Sequence, residues 1–268
     1  MYMAKQFKLT QKNYYSHDRP HLSYSQLKTY LKSPALYKLR YIDRTNKLKI
    51  SDPIKFGKLV DAALTDEETF KKFSISEGKR GLSEAEKEWL VTETIWQNAA
   101  TLASYIEQQP VWDSPKMNQV ILTGTLNETL VCGLADTIMT LPSGNVLLDI
   151  KTTSESKMRS AKTWFYHCLD LGYHIQAGLY RELYLQQTGE LVDFYHLVAC
   201  VDSDGMPHAK LFKFEDEMCK QGLDLAAIAI DGIKAGVFDE EQVTWDSTQS
   251  LRLNDEETYG DDLQEVFE

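Results

Sequence analysis

Apolar positions recur every three or four residues through the first 110 residues, the spacing of helices with one buried face. From Gln119 the texture changes to short runs rich in β-branched residues. In the first part, LSYSQLKTYLKSPALYKLRYI predicts two short helices: Ser23 or Ser25 caps the first, and Ser33-Pro34 ends it, proline suiting the first turn of the second. Pro53 opens another helix in PIKFGKLVDAALTDEETF, and Ser83 with Glu86 forms a capping box ahead of a long amphipathic helix in GLSEAEKEWLVTETIWQNAATLASYIEQQ. QVILTGTLNETL, VCGLADTIMT and NVLLDIKTT then read as a meander of strands. One long helical pattern runs from SESKM to Gly189, LVDFYHLVACVDSDG with PHAKLFKF makes a hairpin, and EDEMCKQGLDLAAIAIDGIKAG is a last helix. This order predicts an α/β fold, a mixed central β-sheet flanked by helices with a helical N-terminal region. We expect a single domain over residues 1–238, helical over 1–110 and α/β over 111–238, followed by a tail at 239–268.

Charged residues interrupt the best core-forming stretch, GLADTIMTLPSGNVLLDIKTT. With Leu141-Pro142-Ser143-Gly144 as a four-residue hairpin loop, Thr140 faces Asn145, and stepping outward brings Asp136 across from Asp149. Directly opposed side chains stand roughly 4.5 to 5.5 Å apart at Cβ, and two like charges there repel. A divalent cation would compensate, and Mg²⁺, or Mn²⁺ in its place, takes oxygen ligands while leaving positions for water and phosphate. Lys151, two residues beyond Asp149, projects from the same face of the strand, and the Ile150 carbonyl offers a further ligand. Two carboxylates, a metal and an ammonium group suit phosphodiester hydrolysis. An ordinary ion pair between Asp149 and Lys151 is the alternative, and a bare D-x-K tripeptide is weak by itself.

Composition bounds the rest. The chain has 268 residues, 43% of them hydrophobic, enough for one well-cored domain. The absence of a long apolar run and of a secretion signal predicts a cytoplasmic protein without a membrane segment. Cys132, Cys168, Cys200 and Cys219 are scattered and predict reduced thiols, and His167 and His174 lack the pairing a zinc site needs. The net charge of −11 conceals an asymmetry: residues 1–80 carry 17 Lys and Arg against 8 Asp and Glu, whereas 239–268 carry 11 acidic groups against Arg252. The basic region can follow a phosphate backbone; the acidic tail, ending DDLQEVFE, serves solubility or contacts a partner. Gly78-Lys79-Arg80-Gly81 lacks the features of a P-loop and reads as a phosphate contact or a turn.

These residues resemble a known family. Gly133-Leu-Ala-Asp136 followed by Leu148-Asp149-Ile150-Lys151 is similar to the core motif of the PD-(D/E)xK nuclease superfamily. Tyr173-His-Ile-Gln176-Ala-Gly-Leu-Tyr180 resembles the Q-x-x-x-Y helix motif of its RecB-like and RecE-like branch. The stretch from Leu22 to Pro34, with Phe56-Gly57-Lys-Leu-Val-Asp61, resembles the start of RecE-type phage exonuclease domains, and the likeness spans roughly residues 20 to 238. It implies catalytic roles for Asp136, Asp149, Lys151, Gln176 and Tyr180, and metal ligation by Asp61, Asp136, Asp149 and the Ile150 carbonyl. Asp61 stands where many members have histidine, and Glu128 competes with it as the third ligand. Tyr173, Gln176 and Tyr180 share one helical face, which is also the signature of a plain core stripe. The implied activity is a Mg²⁺-dependent exonuclease that resects linear double-stranded DNA from its ends, 5′ to 3′, for phage-type recombination or repair. A single-strand annealing protein as partner and a ring-shaped homo-oligomer are implied with it. Alternatives are a structure-selective or restriction-type endonuclease, and a catalytically silent member that binds DNA or protein.

Overall fold

The structure, a computed structural model, describes residues 9–16, 18–46, 50–76, 83 and 87–239. The Gly78–Gly81 cluster, Glu86 and most of the acidic tail lie outside the described residues. Strand β1 (Leu22–Ser23) runs directly into helix α1 (Tyr24–Lys32), where Ser23 and Gln26 form the capping box. Ser33 accepts from the Leu36 amide at 3.1 Å and caps α2 (Pro34–Tyr37), which continues as a π-helical turn over Lys38–Ile42. Helix α3 (Asp52–Thr65) carries Pro53 in its first turn, as expected. After α4 (Glu67–Phe70), the short strands β2 (Ser74–Ile75) and β3 (Leu90–Val91) pair in parallel. That pairing displaces the predicted helix start: α5 spans Glu93–Glu107 and is capped by Thr92.

The main sheet contains β4 (Lys116–Leu126), β5 (Thr129–Leu141), β6 (Gly144–Thr152), β7 (Asp193–Val201) and β8 (Pro207–Lys213) together with β1. Its order is β1-β5-β6-β7-β8, with β4 also paired to β5. β6 and β7 run parallel and the hairpins antiparallel, so the sheet is mixed, as expected. The predicted run QVILTGTLNETL is not one strand. It turns at Asn127-Glu128, where both residues have positive φ (46° and 59°), the geometry of a two-residue hairpin turn. The next hairpin keeps the predicted register, Thr140 opposite Asn145, but Leu141 and Gly144 also pair, leaving Pro142-Ser143 as the turn.

The long helical pattern after β6 is three pieces: a 3₁₀ turn (Glu155–Met158), α6 (Ala161–Leu171) and α7 (Tyr173–Thr188). Gly172 breaks it by adopting the left-handed conformation (φ 65°), a usual helix stop. Helix α8 (Asp216–Lys234) packs on α7. One core lies between the sheet and α1, α6, α7 and α8, and holds Leu27, Trp164, Leu179, Leu183 and Ile230. The other lies on the opposite face under α3 and α5, and holds Leu59, Val60, Leu102, Leu148 and Leu197. All four cysteines are free and buried. No helix among the described residues is long and apolar enough to cross a membrane.

Candidate active site

The site begins with a fault in the sheet. β4 pairs with β5 along nearly its whole length, so β1 and β6 must share β5's other edge. β1 occupies that edge at Val131 and Cys132, β6 occupies it from Thr137 onward, and residues 133–136 lie in the gap between them. Facing alternation also inverts there: Val131 and Ala135 belong to the α7-side core, whereas Met139, and Leu148 opposite Thr137, belong to the α3-side core. On β4 the matching residue, Gln119, has φ 52°, a strained value for a non-glycine strand residue. The last ladder pair is Thr137 with Leu148. One step further, Asp136 does not face Asp149 in a plain ladder as the sequence suggested. Its Oδ2 accepts from the Ile150 amide at 2.8 Å, so a carboxylate replaces a ladder carbonyl and anchors the splayed strands.

Asp149 and Lys151 do project from one face, toward α7. Lys151 Nζ pairs with Asp149 Oδ2, while Gln176 Nε2 donates to Asp149 Oδ1 at 2.5 Å. Asp149 is 2% exposed, and its Oδ2 is held by the ion pair with Lys151. The Lys151 ammonium also sits 4.9 Å from the centre of the Tyr173 ring, within cation–π range. Tyr180, from the same helix, does not join this cluster by hydrogen bonding to a carboxylate. Its ring fills the space a Cβ on Gly133 would occupy and its hydroxyl is tied to the Leu134 backbone, so it shapes the wall of the gap.

Asp61 approaches from α3. Thr65 Oγ1 lies 2.9 Å from Asp61 Oδ1 and accepts from Gln119 Nε2 at 2.8 Å, which ties the strained β4 residue to this carboxylate. Burial raises the Asp61 pKa to about 6, the Thr65 hydrogen bond opposing it and Asp149 adding to it. Burial, then Asp61 and Asp149, push Asp136 well above the usual carboxylate range. Burial, the largest single influence, works against the charge on Lys151, but Asp149, Tyr173 and Asp136 together outweigh it and hold the ammonium's pKa above the ordinary lysine value. Glu128 is removed from the competition for third ligand: it sits in the β4–β5 turn, 96% exposed, 4.0 Å from Lys234.

The residues fit a divalent cation. Three hard oxygen donors feel one another, and two of them hold protons more tightly than a free carboxyl would. As they stand, no three His, Cys, Asp or Glu side chains among the described residues are drawn together closely enough to hold an ion. Lys151 and Gln176 occupy Asp149 instead.

The family described as a PDDEXK-like domain of unknown function (DUF3799) matches residues 23–242. The chain belongs to this PDDEXK-like family. Among solved structures, a "Putative exonuclease" from Eubacterium rectale is similar to the PDDEXK-like chain at 18% identity, covering 86% of this chain and 88% of the other, with a TM-score of 0.64. At that identity the likeness bears on the fold. The structure of SSO0001 matches at 14% identity over 77% of this chain and 84% of the other, but its TM-score of 0.29 carries no argument. No curated protein matches the sequence.

Three residues of this PDDEXK-like site escaped the sequence reading. Gln119 gives no local signal, because its role comes from a partner 54 positions away. Lys28 on α1 lies 5.3 Å from the Tyr173 ring, and burial, then Lys151, lower its pKa to about 8. His196 pairs with Asp149 across the parallel β6–β7 ladder and is fully buried; that register is not readable from a single strand.

The raised Asp61 pKa fixes a pH dependence. A carboxyl whose folded-state pKa lies above its unfolded value contributes nothing while both states are protonated, then destabilises the fold as pH rises to the folded pKa. Between about pH 4 and pH 6 the metal-free PDDEXK-like domain should therefore lose stability through Asp61. Asp61→Asn should melt at nearly the wild-type temperature at pH 4 and higher than wild type at pH 7.5 in EDTA, the gap being at most about 3 kcal/mol. Thermal melts at both pH values check this, and an equal gap at both would contradict it.

Proposed function

We propose that the protein is a metal-dependent nuclease that hydrolyses the phosphodiester backbone of DNA, acting as an exonuclease on linear duplex from its ends in the 5′ to 3′ direction. The observation that carries the reading is the convergence of Asp61, Asp136, Asp149 and Lys151 at the one place where β5 and β6 separate. Asp61, Asp136, Asp149 and the Ile150 carbonyl would hold Mg²⁺, with Mn²⁺ as a substitute. Bound there, such an ion lowers the pKa of a water and polarises phosphoryl oxygens.

The chain's own groups divide the remaining work. Gln176 fixes the rotation of the Asp149 carboxylate by donating to Oδ1. Lys151 is held protonated, so it serves as a fixed positive charge beside the phosphate, where negative charge grows in the transition state, and not as the proton acceptor. Tyr173 limits the directions in which that ammonium can swing. Lys28, beyond the same ring, adds positive field on the approach for a flanking phosphate. A role in phage-type recombination or repair, a single-strand annealing protein as partner and a ring-shaped homo-oligomer belong to the same proposal.

Linear duplex labelled separately at the 5′ and 3′ ends, alongside a covalently closed circle, tests it. The expected result with Mg²⁺ is early release of the 5′ label, slow loss of the 3′ label and an intact circle. Cutting of the circle would replace the exonuclease reading with an endonuclease, and no cleavage of either substrate with Mg²⁺ or Mn²⁺ would remove the nuclease reading.

A further inference from the structure

His196 is buried against the candidate active site, and the reading above gives it no task. Its ring is walled by Trp164, Tyr173, Phe194 and Phe214, with centroids 5.6, 5.1, 5.6 and 4.6 Å away. Two polar neighbours lie at its nitrogens. Nδ1 is 3.9 Å from Cys168 Sγ, and Nε2 is 3.7 Å from Asp149 Oδ2. Nε2 has no hydrogen-bond partner, although buried polar atoms are nearly always satisfied, while Oδ2 is held by the Lys151 ion pair. The separation of 3.7 Å is too long for a direct hydrogen bond, and the Lys151 ammonium holds that oxygen in charge.

These facts have one economical account. Burial raises the Cys168 thiol to about 12, so it stays protonated and can donate its S–H to Nδ1, placing the single ring proton of a neutral imidazole on Nε2. That N–H is then aimed at Asp149 Oδ2, the oxygen now paired with Lys151. We propose that His196 is a positioning residue, fixed by Cys168 as its Nε2–H tautomer, whose N–H takes over Asp149 Oδ2 when Lys151 turns to a substrate phosphate. Asp149 would then stay clamped, by Gln176 on one oxygen and His196 on the other, throughout the exchange. Groups behind a ligand carboxylate commonly act in this way, and their loss typically weakens metal binding 10- to 100-fold. The role of Lys151 in this exchange rests on the nuclease reading; the tautomer does not.

The test has two independent arms. In protein labelled with ¹⁵N-histidine, the His196 Nε2 should resonate as a protonated ring nitrogen and Nδ1 as an unprotonated one, with Cys168→Ala weakening that preference. An Nδ1–H tautomer in the wild type overturns the proposal whatever the variants do. In calorimetry with Mn²⁺, His196→Gln keeps an N–H at the same reach and should bind within about threefold of wild type, while His196→Phe should bind at least about tenfold more weakly. Equal binding by wild type and a folded His196→Phe overturns it. Should the phenylalanine variant fail to fold, weak binding by a folded His196→Gln overturns it as well. Absence of Mn²⁺ binding by the wild type would count against the nuclease reading and the exchange with it, leaving the tautomer to stand on the NMR result.

Discussion

Lys151→Met is expected to reduce degradation of linear duplex DNA at least about 100-fold without unfolding the protein. Methionine keeps the length and apolar stem of the lysine, so the contact with Tyr173 and the packing along β6 survive while the charge is lost. What disappears is the cation held against Asp149, which its surroundings keep protonated. The substitution leaves Asp149 buried without its ion-pair partner, which costs on the order of 3 kcal/mol in the metal-free protein. The melting temperature in EDTA should therefore fall, and Mg²⁺ should restore part of it by neutralising the same carboxylate. Asp149→Ala should show a similar loss of activity without recovery by Mg²⁺. Cleavage kinetics with circular dichroism as the folding control measure both effects, and near-wild-type activity in a folded Lys151→Met would show that the ammonium takes no part in the chemistry.

The second large effect is structural. Helices α7 and α8 meet backbone to backbone: a Cβ on Gly222 would lie 1.9 Å from the His174 carbonyl oxygen, and one on Gly178 would lie 2.1 Å from the Cys219 carbonyl oxygen. Main-chain atoms cannot step aside as side-chain tips can, so alanine at either position must push the helices apart. Overpacking of this kind costs about 3 kcal/mol, or roughly 10 °C in melting temperature for a domain of this size. The higher helix propensity of alanine returns at most about 1 kcal/mol. Because α7 carries Gln176 between His174 and Gly178, Gly222→Ala should also loosen Asp149 and lower activity beyond the loss of folded protein. Gly189→Asn is the control, since nothing lies within 4 Å of its Cβ and asparagine tolerates its left-handed φ of 76°. A Gly222→Ala melt within 2 °C of wild type would contradict the close approach.

Much of this was legible in the sequence because short-range rules govern it. Ser23 and Ser33 mark helix starts whose caps involve neighbours three residues away, and Pro53 marks another by its place in the first turn. The Pro142-Ser143 turn fixed the β5–β6 register, and that register brought Asp136 to the level of Asp149 with Lys151 on the same strand face. Alternation along the strands did not foretell that the alternation itself inverts at Asp136. That kink arises from β1 and β6 competing for one edge of β5, and from the positive φ of Gln119, which a polar side chain in a strand does not announce. The Gly172 break was hidden because glycine within a helical pattern is tolerated until a left-handed stop is needed. Tyr180 illustrates a further limit: helical spacing placed it on the correct face, but the contact with Gly133 that makes it a wall of the site depends on two segments 47 positions apart.

Mn²⁺ binding to the wild type, Asp136→Asn and Asp149→Asn, followed by calorimetry together with cleavage of linear duplex on the same preparations, bears most directly on the four-residue cluster. The account predicts that the wild type binds and cleaves, and that each folded variant loses at least tenfold in affinity and nearly all cleavage. Cleavage that persists in both variants, or Mn²⁺ binding that neither substitution weakens, would contradict it.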